Sequence, residues 1–254
     1  MTRRERSQPL GIPLHVVGHG CGSLPVLGTD DDRGHFVYLL DAVVRECGWT
    51  VFDWVLMSNH HHLVIELAEP NLSDGMKRLH GLHAMAWNAR HSARGHAWQG
   101  RFWSCEIDEW SYCRSVMRYL DLNPVRGGLV RSPEEWRWSG YGANAGLAKR
   151  QPFHNVIAGR AMVVGGEDLT HDEICSRYRR WVTTDLERTR ARAQAGVEFD
   201  RPRLDEILDD RRPDAIHRAI AVWGYTVGEI ADALGVDRRT VLRWRAGGSV
   251  EQRR

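Results

Sequence analysis

Lysine is nearly absent from this chain. Lys77 and Lys149 stand alone among 35 basic residues, and the other 33 are arginine. Arginine presents a planar fork of donors suited to phosphates and base edges. Genomic base composition produces the same bias, and most positions are read that way. Cysteine is sparse and scattered: Cys21, Cys47, Cys105, Cys113 and Cys175 are odd in number and never in a C-x-x-C arrangement. That argues against a disulfide framework or a cysteine zinc site and suits a reducing, cytoplasmic setting. Long apolar runs are missing too, since no stretch approaches the roughly 18 residues of a membrane span. The start, Met1-Thr2-Arg3-Arg4-Glu5-Arg6, lacks the apolar segment of a signal peptide, so no membrane partner is expected. The net charge of +2 is close to neutral, and bulk charge announces no nucleic acid.

What is present is a patterned chain of 254 residues, long enough for one domain plus a smaller one. Leu14 to His19 reads as a short strand, broken into a loop by Gly18, Gly20, Gly22 and Pro25. Asp30-Asp31-Asp32 starts a helix whose Phe36, Leu39, Leu40, Val43 and Val44 recur at helical spacing; Gly48 stops it. Trp49 to Met57 and His60 to Leu67 are further strands, joined tightly through Ser58-Asn59. Pro70 and Asn71 open a second helix, with Leu72, Met76, Leu79, Leu82 and Met85 on its apolar side. Trp98 to Ile107 is a turn leading into a fourth strand, and Ser111 to Asn123 is a helix that Pro124 should end. The order β-α-β-β-α-β-α begins as a ferredoxin-like split βαβ arrangement. The expected class is therefore α+β, an antiparallel sheet with helices on one face and the other face free for a ligand.

This first domain spans residues 1–145. A helical connection and linker follows over 146–202, including a charged helix from His171 to Gln194 with Ile174, Tyr178, Trp181 and Leu186 as its apolar positions. Residues 203–254 have a three-helix pattern: Pro213 leads the first helix, Thr226-Val227-Gly228-Glu229 is a capping box for the second, and Asp237 caps a third after Gly235. That is a helix-turn-helix layout, whose last helix enters a DNA major groove. Arg238, Arg239, Arg243 and Arg245 crowd it without an acid, so duplex DNA is the expected partner of this small all-α domain.

Two stretches carry chemistry. In a strand His60 and His62 share a face and His61 points away, so two imidazoles could hold one cation; an idle, partly solvated cluster is equally open. Tyr119 and Asn123 lie four apart on a helix and share a face. The Asn123 carbonyl suits a hard cation, and Tyr119 one turn away could attack a phosphate held there. Alone, this pair reads more simply as a core tyrosine and a C-cap. Tyr112 is a weaker nucleophile candidate without such a partner. Arg101 and Arg126 are candidate phosphate contacts, and Trp98, Phe102 and Trp103 could stack on unpaired bases, some of them being core instead. His80 and His83, with His91 and His96 beyond, lack a third convergent ligand and read as a solvated or DNA-facing helix edge.

Leu56-Met57-Ser58-Asn59-His60-His61-His62-Leu63, Gln99-Gly100-Arg101-Phe102-Trp103-Ser104 and Arg118-Tyr119-Leu120-Asp121-Leu122-Asn123-Pro124-Val125-Arg126 occur in that order, and Trp138-Ser139-Gly140-Tyr141 follows. Together they resemble the single-tyrosine HUH transposases (IS200-like), most closely the REP-associated tyrosine transposases, over about Leu14 to Tyr141. The resemblance implies His60 and His62 as metal ligands, Asn123 in the third ligand position and Tyr119 as nucleophile. It also implies a Mg²⁺ or Mn²⁺ ion and cleavage of single-stranded DNA near hairpins. The 5′ phosphate would stay on the tyrosine, and the released 3′ hydroxyl would later rejoin strands. Members often act as homodimers. Ser58 replaces a usual proline, His61 a usual hydrophobic residue, Gly140 a serine and His19 an arginine. The alternative is a DNA-binding regulator that keeps the fold without cleavage.

Overall fold

The structure, a computed structural model, describes residues 8–107, 110–164, 169–184, 186, 187, 190, 204, 216, 219 and 227–245, with backbone alone for 110–112 and 245. The chain divides into two units, Met1–Ala191 and Arg192–Arg254. In the first, four antiparallel strands lie in the order β2-β3-β1-β4: β1 Leu14–His19, β2 Thr50–Leu56, β3 His60–Glu66 and β4 Trp103–Glu106. With α1 (Asp30–Cys47) and α2 (Leu72–Arg90) as crossovers, this is the expected α+β, ferredoxin-like topology.

The first helix starts where local chemistry allows. The Thr29 side chain accepts from the Asp32 backbone and Asp32 answers to Thr29, a capping box that satisfies two orphan donors before three acids at the positive helix end. Gly48, at φ 68°, closes α1 in the left-handed region. The apolar side of α1 (Phe36, Leu40, Val43) meets Leu72, Met76 and Leu79 of α2 over Leu14, Val16, Leu63 and Ile65 of the sheet. Full burial of each such side chain stabilises by about 1.5–3 kcal/mol.

The opposite face is covered as well. A register shift between Val51 and Asp53 turns Phe52 to that side, where it joins Val55 and Val64 against Val116, Met117 and Leu120 of α3 (Trp110–Arg126). Short α4 (Tyr141–Asn144), α5 (Val156–Ala161) and α6 (His171–Thr183) follow. Tyr178 and Val182 of α6 are buried in this second core, so the segment expected as a connection packs as part of the first unit. The face expected to be free is thus covered, with Phe52, Val55 and Val64 packed under α3 and α6.

Three local expectations change. Gly18 lies inside β1 and does not break it. Pro124 does not end α3, which runs on to Arg126. A proline near a helix end costs one backbone bond, and the next turn recovers its own: Gly127 donates to Asn123 O at 2.8 Å and Leu129 to Pro124 O at 3.0 Å. Asn123 is therefore an internal helical residue and not a cap. The charged helix expected to Gln194 has its continuous described span end at Thr183.

In the second unit α7 (Val227–Leu234) and α8 (Arg238–Arg245) flank a turn at Gly235, φ 64°. Ile230, Ala231, Val241 and Trp244 share a core with Ile216 and Ala219. Asp237 caps α8, accepting from the Thr240 backbone at 2.8 Å. The helix expected from Pro213 and the capping box at Thr226 lie outside the described residues, apart from isolated positions. Among the described residues no helix is long and apolar enough to cross a membrane, and all five cysteines are free.

Candidate active site

β1 and β3 pair antiparallel with Val17 opposite His62 and His19 opposite His60. Alternation then sends His15, Val17, His19, His60 and His62 to one face. His60 and His62 stand edge to face with ring centroids 5.0 Å apart. Each is flanked by a β1 histidine: His19 stacks on His60 at 5.1 Å, and His15 on His62 at 5.1 Å. The two candidate ligands are thus brought together as the strand period predicts.

α3 crosses this face with Tyr119 and Asn123 one turn apart. The Tyr119 ring meets His62 edge-on at 5.4 Å, and Asn123 Nδ2 lies 3.4 Å from His62 Nε2. Rotating that amide exchanges oxygen for nitrogen at the same place, since the two ends are indistinguishable in shape. Asn123 is buried at 6% exposure, while Tyr119 is half-buried. The Arg126 guanidinium sits 4.9 Å over the Tyr119 ring.

The donor set fits a divalent ion by its hydrogen bonding. His60 Nδ1 donates to Asn59 Oδ1 at 2.7 Å, and His62 Nδ1 lies 2.9 Å from His15 Nε2. With each Nδ1 engaged, each Nε2 is the nitrogen left to face a metal, the usual division of labour in a ligating imidazole. Burial, reinforced by His19, pushes His60 down to about 3, partly opposed by Asn123. Burial with His60 and His15 holds His62 well below its ordinary value. Both rings are neutral at physiological pH, the form that binds cations. Among the described residues no group of three or more His, Cys, Asp or Glu side chains is disposed around a metal; the third donor here is an amide.

Behind α3 lies a buried polar network. Tyr178 donates to Asp121 Oδ2 at 2.7 Å, and Asn144 Nδ2 donates to Asp53 Oδ1 at 3.3 Å. Burial pushes Asp121 up to about 8; burial and the Asp121 carboxylate raise Asp53 well above the usual range. A Cβ at Gly140 would run into Asp53 Oδ1, which explains glycine in place of a serine.

The remaining candidates separate. Trp98 and Phe102 are core residues at 6% exposure, on the α1/α2 side. Trp103, half-buried opposite Val17 in β4, stays on the histidine face, edge-on to His15 at 5.5 Å. Arg101 is exposed, two residues after Gln99, whose backbone donates to His19 O at 2.7 Å. Tyr112 has no described side chain. His80 and His83, expected at a solvated edge, are buried at 9% and 1%. His61, on the far side of β3, explains this: its Nε2 lies 2.8 Å from His80 Nε2, and Trp98 lies flat on His80 at 4.1 Å. Arg238, Arg239 and Arg243 are exposed on α8, and Arg245 has no described side chain.

Sequence reasoning did not single out His15, or Asn59 as a partner of His60. The alternation His15-Val17-His19 in β1 was the available signal, but it becomes informative only once β1 is known to pair with β3.

The sequence model of the family described as Transposase IS200 like matches residues 14–123. A comparison with curated proteins finds no match. Among solved structures, a REP-associated tyrosine transposase bound to a REP hairpin is 19% identical with a TM-score of 0.49, covering 67% of this chain and 99% of that one. A Deinococcus radiodurans R1 protein assigned as a transposase is 16% identical with a TM-score of 0.34, covering 45% of this chain and 92% of that one.

Proposed function

We propose that this chain, whose residues 14–123 match the model of the IS200-like transposase family, is a single-strand DNA endonuclease and strand transferase that works through Tyr119. The observation that carries it is convergence: His60, His62, Tyr119 and Asn123 come from two distant stretches and meet on one face.

His60, His62 and the Asn123 oxygen would hold a Mg²⁺ or Mn²⁺ ion. Bound there, such an ion offsets charge on the non-bridging oxygens of a phosphodiester. Tyr119 supplies the nucleophile. Its phenol loses a proton to solvent, the oxygen bonds to phosphorus, and the bond from phosphorus to the 3′ oxygen breaks. That oxygen takes up a proton and leaves as a 3′ hydroxyl, while the 5′ phosphate stays esterified to the tyrosine. Attack by a 3′ hydroxyl on the phosphotyrosine reverses the step and joins strands. A phenol has an ordinary pKa near ~10, so the ion's offset of phosphate charge would carry most of the activation. Exposed Arg101 and the half-buried Trp103 ring suit a phosphate and an unpaired base on the approach to the site. Hairpin-bearing single strands, which the family resemblance implies, are the substrate in this reading, and the exposed arginines of α8 suit duplex phosphates in a separate role.

Incubation with a single-stranded hairpin and Mn²⁺ should yield a covalent protein–DNA adduct that Tyr119→Phe lacks. An adduct of equal yield in that variant, or binding with no cleavage across hairpins and metals, would contradict the reading; the second outcome favours a DNA-binding regulator.

A further inference from the structure

His62 can hold a cation through Nε2 only if its ring proton sits on Nδ1, and something must accept that proton. We propose that His15 is a positioning residue: its Nε2 accepts from His62 Nδ1 and so keeps the Nε2 lone pair of His62 aimed at the ion. This rests on the reading of His60 and His62 as cation ligands.

Three observations carry it. His15 Nε2 and His62 Nδ1 are 2.9 Å apart, and the two rings stack with an interplanar angle of 16°. Both rings are buried, at 0% and 1% exposure, so water does not substitute for the bond. On the other side of His62, the amide of Asn123 lies 3.4 Å from Nε2, so an ion held between the Asn123 oxygen and His62 meets Nε2. A neutral imidazole has only one nitrogen with a lone pair. A His62 that offers Nε2 to an ion therefore carries its proton on Nδ1, and His15 Nε2 is the acceptor. The His15 proton then belongs on its own Nδ1, a buried nitrogen with no hydrogen-bond partner.

The sequence arrangement is economical. His15 lies opposite Val64, two residues from His62 along β3, a diagonal cross-strand position within reach of an aromatic side chain. His60 solves the same problem differently, donating Nδ1 to the neighbouring Asn59 side chain at 2.7 Å. Each ligand thus has its own acceptor, one local and one from β1. An acceptor behind a ligating imidazole fixes the tautomer and the ring orientation, and its loss costs about 10–100-fold in metal affinity.

Ring-nitrogen NMR of the metal-free, ¹⁵N-labelled protein tests the tautomer directly. The wild type should show His62 protonated on Nδ1, and His15→Phe should shift it toward Nε2. A wild-type His62 protonated on Nε2 would overturn the proposal. A Mn²⁺ titration gives the second arm. His15→Phe should bind about 10–100-fold more weakly, and His15→Gln, whose Oε1 can accept from Nδ1, should recover most of the loss. A purely packing role predicts no such recovery, and equal affinity in all three proteins would overturn the assignment. Should the wild type and His60→Ala both fail to take up Mn²⁺, the cation reading falls, and the NMR result still decides His15 by the same two outcomes.

Discussion

On one face of the sheet, His60 and His62 stack against His19 and His15 and turn toward Tyr119 and Asn123. On the other face His61 meets His80, Trp98 covers His80, and Phe36 packs on both His61 and His83. The residue type and the strand are the same. What differs is where each imidazole spends its nitrogens. On the α3 side, partners take Nδ1 and leave Nε2 facing a nucleophile and an amide. On the α1/α2 side Nε2 is consumed by a second histidine, and the Nδ1 atoms of His61 and His83 are buried without partners. Burial alone does not distinguish a site from a core; the direction of the remaining donor does.

The largest expected difference between the faces is in metal removal. Chelation should reduce hairpin cleavage by about 100-fold or more, because the charge offset supplied by an ion is worth several kcal/mol. The melting temperature should barely move, since the apolar cores on both faces do not depend on an ion.

Acid should act on both faces, since burial holds His15 and His60 at about 3 as well. Burial pushes His80 down to about 3 and His83 down to about 4 from an ordinary 6.5. Between those values the unfolded chain binds protons that the folded chain refuses. Stability is therefore fully present above pH 6.5 and is lost as pH falls toward 4. Each such group contributes up to about 1.4 kcal/mol per pH unit. Urea unfolding at several pH values measures the slope, and the double variant His61→Leu/His80→Leu should reduce it, leaving the share of His15, His60 and His62.

Gly18 offers a smaller, purely steric test. A Cβ there would lie 2.5 Å from His61 Nε2 and 2.6 Å from His80 Cε1. Gly18→Ala should cost about 1–3 kcal/mol in urea unfolding through overpacking. A neutral result would mean the histidine pair is loosely held.

The smallest effect on cleavage should come from the second unit. Replacing Arg238, Arg239 and Arg243 by alanine should weaken duplex binding and lower its salt slope by about 0.9 for each phosphate that is no longer neutralised. Hairpin cleavage should be unchanged.

Much of this was legible in the sequence. Strand alternation placed His60 and His62 together, the i, i+4 spacing placed Tyr119 beside Asn123, and the helical periods of Phe36 to Val44 and Leu72 to Leu79 placed the packed face. The remainder depended on partners distant in the chain. His80 and His83 read as a solvated edge because His61 and Trp98, which bury them, lie 19 and 18 residues from His80 in opposite directions. Gly18 read as a strand breaker because nothing local shows two imidazoles approaching its backbone, a role glycine serves inside strands. Pro124 read as a stop because its effect on the preceding residue is a preference, and packing of α3 on the sheet outweighs it. The charged stretch after His171 hid its contribution because the partners of Tyr178 and Val182, among them Asp121 of α3 and Asn144 of α4, lie tens of residues upstream.

The most direct test compares the two faces in one assay. Single-turnover cleavage of a hairpin, normalised to folded protein, should fall by about 100-fold or more in His60→Ala/His62→Ala. In His61→Leu/His80→Leu it should stay within a few-fold of the wild type. Equal losses in both double variants, or a loss confined to the second, would contradict the division of the sheet into a chemical face and a packed one.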